Sequence, residues 1–205
     1  YSGDSAMRPM PVWDHETYTE GISRSARFPR DRYRMLRERL NDLHGTGLIC
    51  IESPEPAVRD TLLIAHEQDY VDRFLSGSLD AKEVRRIGLE PWTDAFLPRT
   101  MMIIGGAVEA LAHVTRFGGI AANMAGGTHH SHRSFGSGYC VFNDLAICAL
   151  LARDEYGYER IAVLDLDVHQ GDGTATILEG EEGIITISVH GEKNFPFRKA
   201  KSDYD

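Results

Sequence analysis

Residues 161–173 read Ile161-Ala162-Val163-Leu164-Asp165-Leu166-Asp167-Val168-His169-Gln170-Gly171-Asp172-Gly173. The four apolar residues that open the stretch form a short run of the kind a fully buried parallel strand shows. They end in Asp165, Asp167 and His169, with Asp172 following, so carboxylates and an imidazole gather where the strand gives out. Open α/β sheets bind ligands at that carboxyl edge. A buried carboxylate without a partner is costly, so a cluster this dense implies cations, histidine partners or both. The stretch reads as a metal site together with the groups that orient it. A plainer reading, with Asp172 as a helix N-cap beside satisfied buried acids, leaves the density of acids unexplained.

Outward from this stretch the pattern is strand, helix, strand, helix, strand, over residues 120–124, 145–151, 161–166, 174–178 and 184–189. That alternation predicts βαβ units and a parallel sheet. Each strand runs out into chemically capable residues: His129 and His130, then Asp167 and His169, then His190. All three ends are expected on one edge. Upstream, residues 10–13 read as a first strand, 30–43 as a helix with the stripe Tyr33, Leu36, Leu40 and Leu43, and 48–51 as a short apolar run. Residues 57–64, 66–77 and 78–87 read as short helices, the last peripheral and charged. Residues 93–117 read as a longer helix, capped by Thr93, with Met101, Ile104, Val108 and Leu111 inward.

The chain has 205 residues, 42% of them hydrophobic, enough for one sizeable core, and no second domain is needed. Its net charge of −9 argues against a direct nucleic-acid ligand and favours a cationic substrate or partner. Cys50, Cys140 and Cys148 are an odd set without framework spacing, which suits a reduced, cytoplasmic setting. No apolar run approaches membrane-spanning length and no signal peptide is recognised. The first residue is Tyr1, and residues 1–9 are expected to be a disordered or appended leader ahead of a domain over 10–205.

Gly126-Gly127-Thr128-His129-His130 is a glycine-hinged loop ending in adjacent histidines, and glycine lets backbone approach a ligand closely. Two histidines with separate carboxylate partners titrate apart, so that one serves as base while the other stays charged. Asp165 and Asp172 are the acids free for that pairing. Asp167 and His169 alternate with apolar residues, so on an extended backbone both face one ion. Oxygen and imidazole together suit zinc or another divalent first-row metal. Residues 135–144 read as a tight turn packed into a helix capped by Asn143. Tyr139 and, after the last strand, Phe195 are candidates to wall a narrow apolar channel. Cys140 and Cys148 read as packing residues.

Taken together, Gly126-Gly127-Thr128-His129-His130, Gly138-Tyr139-Cys140-x-x-Asn143-Asp144 and Asp165-x-Asp167-x-His169-x-Gly171-Asp172-Gly173 resemble the histone deacetylases, in the bacterial and class IV-like branch of the arginase/deacetylase superfamily. The resemblance runs from about Phe28 to the end of the chain. It implies a three-layer α/β fold with a mainly parallel central sheet, truncated on its C-terminal side, and a zinc-dependent amidohydrolase acting on acetyl-lysine or a related acetylated amine.

By the same resemblance Asp167 and His169 bind zinc, His129 and His130 are the catalytic pair, and Asp165 and Asp172 orient them. Gly138, Tyr139 and Phe195 line the acyl-lysine tunnel. A structural potassium ion takes Asp165 and the backbone of Asp167 and His169, with Ser188 and Val189 from the next strand. The family's third zinc ligand, an aspartate, and its oxyanion-stabilising tyrosine are expected beyond Asp205, and Asp203-Tyr204-Asp205 does not supply them. The 205-residue chain alone is therefore expected to be inactive and to expose an unpaired sheet edge at residues 184–189. The alternatives are a truncated, non-catalytic acetyl-lysine binder or, within enzymes, an arginase-like dimetal ureohydrolase. The spacing of His169 and Asp172 and the adjacent histidines argue against the latter.

Overall fold

The computed structural model describes residues 8–205, so the expected leader lies mostly outside the described residues. The order is β1 (Met10–Trp13), α1 (Arg32–His44), β2 (Ile49–Glu52), α2 (Arg59–Leu63), α3 (Gln68–Leu75), α4 (Ala81–Ile87), α5 (Phe96–Phe117), β3 (Ala122–Asn123), α6 (Asp144–Asp154), β4 (Ile161–Asp165), α7 (Asp172–Leu178) and β5 (Ile184–Ser188). A 3-10 turn, Glu16–Thr19, follows β1.

All strand pairs are parallel, as an α/β chain with helical crossovers requires. The ladder comes in two pieces among the described residues, in the orders β2-β1-β3 and β4-β5. The first and second strands of the expected βαβ run are thus not hydrogen-bonded to each other. The reason is local: β3 is two residues long, closed in by Gly118-Gly119 before it and the Gly126-Gly127 loop after it, and it pairs with β1 at Val12↔Ala122. β4 and β5 run in register from Ile161↔Ile184 to Asp165↔Ser188.

The edge of β5 is not bare. Ser188 N–H donates to the Tyr204 carbonyl (2.9 Å) and Tyr204 N–H to the Thr186 carbonyl (3.0 Å), a single parallel bridge at Ile187↔Tyr204 that covers part of the edge expected to be unpaired. Asp203 fastens it by accepting from Thr186 N–H at 2.7 Å. The open surface is instead one face of the β4-β5 pair, where Leu164, Leu166, Val168, Ile185 and Val189 are exposed, Leu166 at 70%.

The core is aromatic at its centre. Phe142 sits edge-on to Tyr70 (ring centroids 5.3 Å apart), Phe74 (5.0 Å) and His66 (4.9 Å), which ties α3 to the turn entering α6. The long helix α5 lies against β1, β3 and α6, with Met101 and Ile104 buried on its inner stripe as expected. It begins at Phe96 after Ala95, so Thr93 is not its cap. In α1 only Tyr33 of the expected stripe is buried; Leu36 and Leu43 are exposed, because the helix docks through Tyr33 and through the Arg37–Asp14 ion pair. Helix α4 starts on a capping box between Asp80 and Glu83, and its far end is not peripheral: the Ile87 carbonyl accepts from Tyr139 N–H at 2.7 Å. Among the described residues no helix is long and apolar enough to cross a membrane.

Candidate active site

Strand β4 delivers Asp165 to its carboxyl end, and both carboxylate oxygens are used there. Oδ2 accepts from His129 Nδ1–H (2.6 Å) and Oδ1 from the Asp167 N–H (3.0 Å). Asp172, the first residue of α7, does the same for the neighbouring imidazole: His130 Nδ1–H donates to Oδ1 at 2.6 Å, and His132 Nε2 lies 3.3 Å from Oδ2. Gly171, not Asp172, occupies the N-cap position, so the Asp172 side chain serves the histidines instead of its own helix. Both imidazoles are buried, with ring centroids 4.1 Å apart. A proton committed to the carboxylate at Nδ1 leaves each Nε2 as an acceptor in the neutral tautomer.

The two histidines differ electrostatically. Burial disfavours a charged His129, but its hydrogen bond to Asp165 and the charges of Asp165, Asp167 and Asp172 outweigh that, and its pKa is raised. In His130, burial dominates, the Asp172 hydrogen bond only partly offsets it, and the nearby His129 and His169 push the same way as burial; its pKa is lowered. Asp172 resists its own burial through hydrogen bonds from His130 and His132, and its carboxyl is held down at about 2. The two imidazoles thus shift in opposite directions, although each has its own carboxylate.

Asp167 and His169 meet, though not on an extended strand as expected. β4 ends at Asp165, and the chain turns so that His169 N–H donates to Asp167 Oδ1 (2.8 Å) and His169 Nδ1 reaches the same oxygen (2.9 Å). Both side chains are open to solvent, at 51% and 43%. A carboxylate oxygen and an imidazole nitrogen facing each other on an accessible edge are two donors of the kind that could hold a divalent metal ion. Among the described residues no three histidine, cysteine or acidic side chains converge as a complete metal site.

Two cavities flank this pair. The inner one, about 290 Å³, is lined by Phe28, Tyr33, Arg99, Gly126, Cys140 and His169, among others. The outer one, about 740 Å³, has Gly138, Tyr139, His169 and Phe195 in its wall. Phe195 packs edge-on to His130 at 4.9 Å, so the three expected tunnel residues do converge on the histidines. Tyr139 has φ +68°, a left-handed conformation that costs a residue with a side chain about 1 kcal/mol or more and recurs at functional sites. It is held by its N–H bond to Ile87 and by edge contact with Phe28 at 5.5 Å. Two glycines border the histidine loop so closely that a methyl group does not fit. A Cβ at Gly138 would lie 2.5 Å from His130 Cδ2, and one at Gly173 would overlap the Ser131 carbonyl oxygen. Burial pushes the Cys140 thiol up to about 12, in keeping with a packing role.

Of the expected potassium set, Asp165 stands opposite Ser188 in the β4-β5 register, and Val189 N–H donates to the Asp165 carbonyl at 2.9 Å. Gln170 is fully buried and pins the segment after Phe195, donating to the Ala200 carbonyl (3.0 Å) and to Asp205 (2.8 Å), while its own carbonyl accepts from Ala200 N–H (2.8 Å).

Sequence reading missed two supporting residues. Asp144 is buried, with Oδ2 accepting from Gly127 N–H (2.9 Å) and Oδ1 from both the N–H (2.7 Å) and hydroxyl (2.6 Å) of Thr128. It thereby holds the loop that presents the histidines, beside Asn143, whose side chain caps α6 as expected. His66 bridges the same region: Nδ1–H donates to the His132 carbonyl and Nε2 accepts from Asn143 N–H, both at 2.9 Å. Burial drives its pKa down from 6.5 to about 4. Below pH 6.5 the unfolded chain therefore takes up a proton that folded His66 refuses until about pH 4. Stability present above pH 6.5 is expected to be lost as the pH falls toward 4, by on the order of 3 kcal/mol from this group. Denaturant titrations of wild type and His66→Gln at pH 7 and pH 5 check this; parallel losses in the two proteins would rule His66 out as the source.

An uncharacterized protein of Picosynechococcus sp. (strain ATCC 27264 / PCC 7002 / PR-6) is 40% identical over 198 residues, covering 95% of this chain and 64% of the relative. Acetoin utilization protein AcuC of Staphylococcus aureus (strain MSSA476) is 30% identical over 156 residues, covering 72% of this chain and 40% of the relative. AcuC of Bacillus subtilis (strain 168) is 28% identical over 155 residues, with the same coverage of 72% and 40%. The chain thus spans less than two thirds of the length of these relatives. The histone deacetylase domain model matches residues 26–205, and the chain belongs to that family.

Proposed function

We propose that this protein is a zinc-dependent amidohydrolase that removes the acetyl group from an acetylated lysine or a related acetylated amine. One observation carries the reading: two adjacent histidines, each fastened through Nδ1 to its own buried aspartate at 2.6 Å, stand beside the open Asp167–His169 donor pair. Zinc held by Asp167, His169 and a further ligand would polarise the amide carbonyl and acidify a water molecule. His130, anchored by Asp172, is the residue that would accept a proton at Nε2 and give it to the leaving amine. His129, anchored by Asp165, is the other member of the proton-moving pair. Gly138, Tyr139 and Phe195 hold the aliphatic stem of the substrate. A potassium ion at Asp165, Asp167, His169, Ser188 and Val189 would brace the ends of β4 and β5.

The test is acetate release from an acetyl-lysine peptide by the zinc-loaded full-length protein, with metal content measured by mass spectrometry. His169→Ala is expected to abolish stoichiometric metal. Unchanged metal in that variant would overturn the ligand assignment, and absence of acetate release by the wild type would overturn the activity.

A further inference from the structure

We infer that the mouth of this site selects acetylated amines with anionic neighbours, a lysine set in an acidic peptide stretch being the substrate class; this rests on the deacetylase reading above. The outer cavity is far larger than an acetyl group and a four-carbon stem require, so groups flanking the scissile amide lie within it. Its rim carries Arg27, Arg85 and Arg86 against one acid, Glu90. In a chain of net charge −9, where acids outnumber bases 31 to 22, this is a local reversal of sign. It runs against the cationic partner that the overall charge suggests.

The three arginines arrive by separate routes. Arg85 and Arg86 lie in the last turn of α4, where cations complement the helix dipole, and that placement alone has an ordinary explanation. Arg27 has none of that kind, since it comes from the loop before α1. Arg34, Arg37, Arg59, Arg73, Arg133 and Arg153 each meet a carboxylate. Among the described residues Arg27, Arg85 and Arg86 form no such pair, nor do Arg24, Arg30, Arg39 and Arg160, among others; what sets the three apart is that they share the rim of one cavity. The end of α4 is also fixed to the tunnel wall by the Tyr139–Ile87 hydrogen bond, and Arg86 is steadied over the Phe135 ring at 4.5 Å. Arg27 and Arg85 thus stand at the rim of the outer cavity, while Arg86 borders both it and the neighbouring cavity lined by Phe135, Asp80 and Glu83. Carboxylates flanking an acetylated lysine supply the partners the protein withholds, and flanking lysines or arginines are repelled.

The experiment uses the zinc-loaded full-length protein and acetyl-lysine peptides that differ only in flanks of Asp/Glu, Ser/Gly or Lys/Arg. kcat/KM is expected to fall in that order, by about tenfold from first to last at low ionic strength, as a few exposed charge pairs allow. The gap is expected to close in 1 M salt, where screening acts within about 3 Å. Arg85→Glu/Arg86→Glu should invert the order, whereas Arg160→Glu, at the opposite end of β4, should not change it. A small acetylated amine bearing one carboxylate, turned over as well as the acidic peptide, would overturn the peptide part of the assignment. Equal kcat/KM across the three flanks, with turnover intact, would overturn the inference and leave the deacetylase reading standing. Fluorescence anisotropy of the same labelled peptides reads the flank preference independently of turnover, so a protein that hydrolyses none of them still decides the question: equal affinities would sink it. Should the double variant fail to fold, the salt dependence of the wild-type preference decides instead, and a preference undiminished in 1 M salt would count against the arginines.

Discussion

His130→Ala in the full-length protein is expected to lower kcat on an acetyl-lysine peptide by about 100- to 10,000-fold, the range that general acid–base catalysis contributes. Metal content should remain that of the wild type, because His130 contacts Asp172 and Phe195 and is not one of the two open donors. The measurement is single-turnover acetate release alongside metal analysis of the same preparation. Near-full turnover in the variant would remove His130 from proton transfer. Asp172→Asn tests the support for that role. It removes the charge that anchors His130 and His132 together, so a smaller but still large loss of rate is expected from it.

Asp144→Ala is expected to produce the largest loss of stability, about 3 to 5 kcal/mol. Its carboxylate serves two backbone N–H groups and the Thr128 hydroxyl in a buried setting, and hydrogen bonds to charged groups contribute about 1.5 to 3 kcal/mol each, less than additively. The same change frees the loop that carries His129 and His130, and a displacement of about 1 Å in a catalytic group can cost on the order of 100-fold in rate. Denaturant melts measure the first effect. Turnover at a temperature where the variant keeps its native circular dichroism measures the second. Wild-type turnover and an unchanged midpoint would show that the loop is held by something else.

The parts of this site legible in the sequence were those whose chemistry lies within one short stretch. The run into Asp165, the adjacent histidines and the surplus acids each show themselves by residue type and close spacing, and the strands over Ile161–Asp165 and Ile184–Ser188 follow from apolar runs bounded by polar residues. Asp144 was not legible, because an acid in the first turn of a helix has an ordinary role with the helix dipole, while the loop it holds lies 16 and 17 residues away. His66 looked like the start of an amphipathic helix, and its partners are 66 and 77 residues distant. The stripe on α1 had the right period, but period says only that one face is apolar and not that anything covers it. The reversal of charge at the tunnel mouth was likewise hidden, since net charge averages over a surface whose parts differ in sign.

The steric tightness around Gly138 and Gly173 bears on how variants of this protein should be judged. Neither glycine holds a reactive atom, yet a methyl group at either position runs into His130 or the Ser131 carbonyl. A natural allele with alanine at position 138 or 173 would keep every acid, base and metal donor and would pass any inventory of catalytic residues. It would nonetheless have its histidine loop pushed out of place. A displaced histidine loop can therefore be inherited through residues that carry no acid, base or metal donor, Gly138 being constrained further by its φ of +52°.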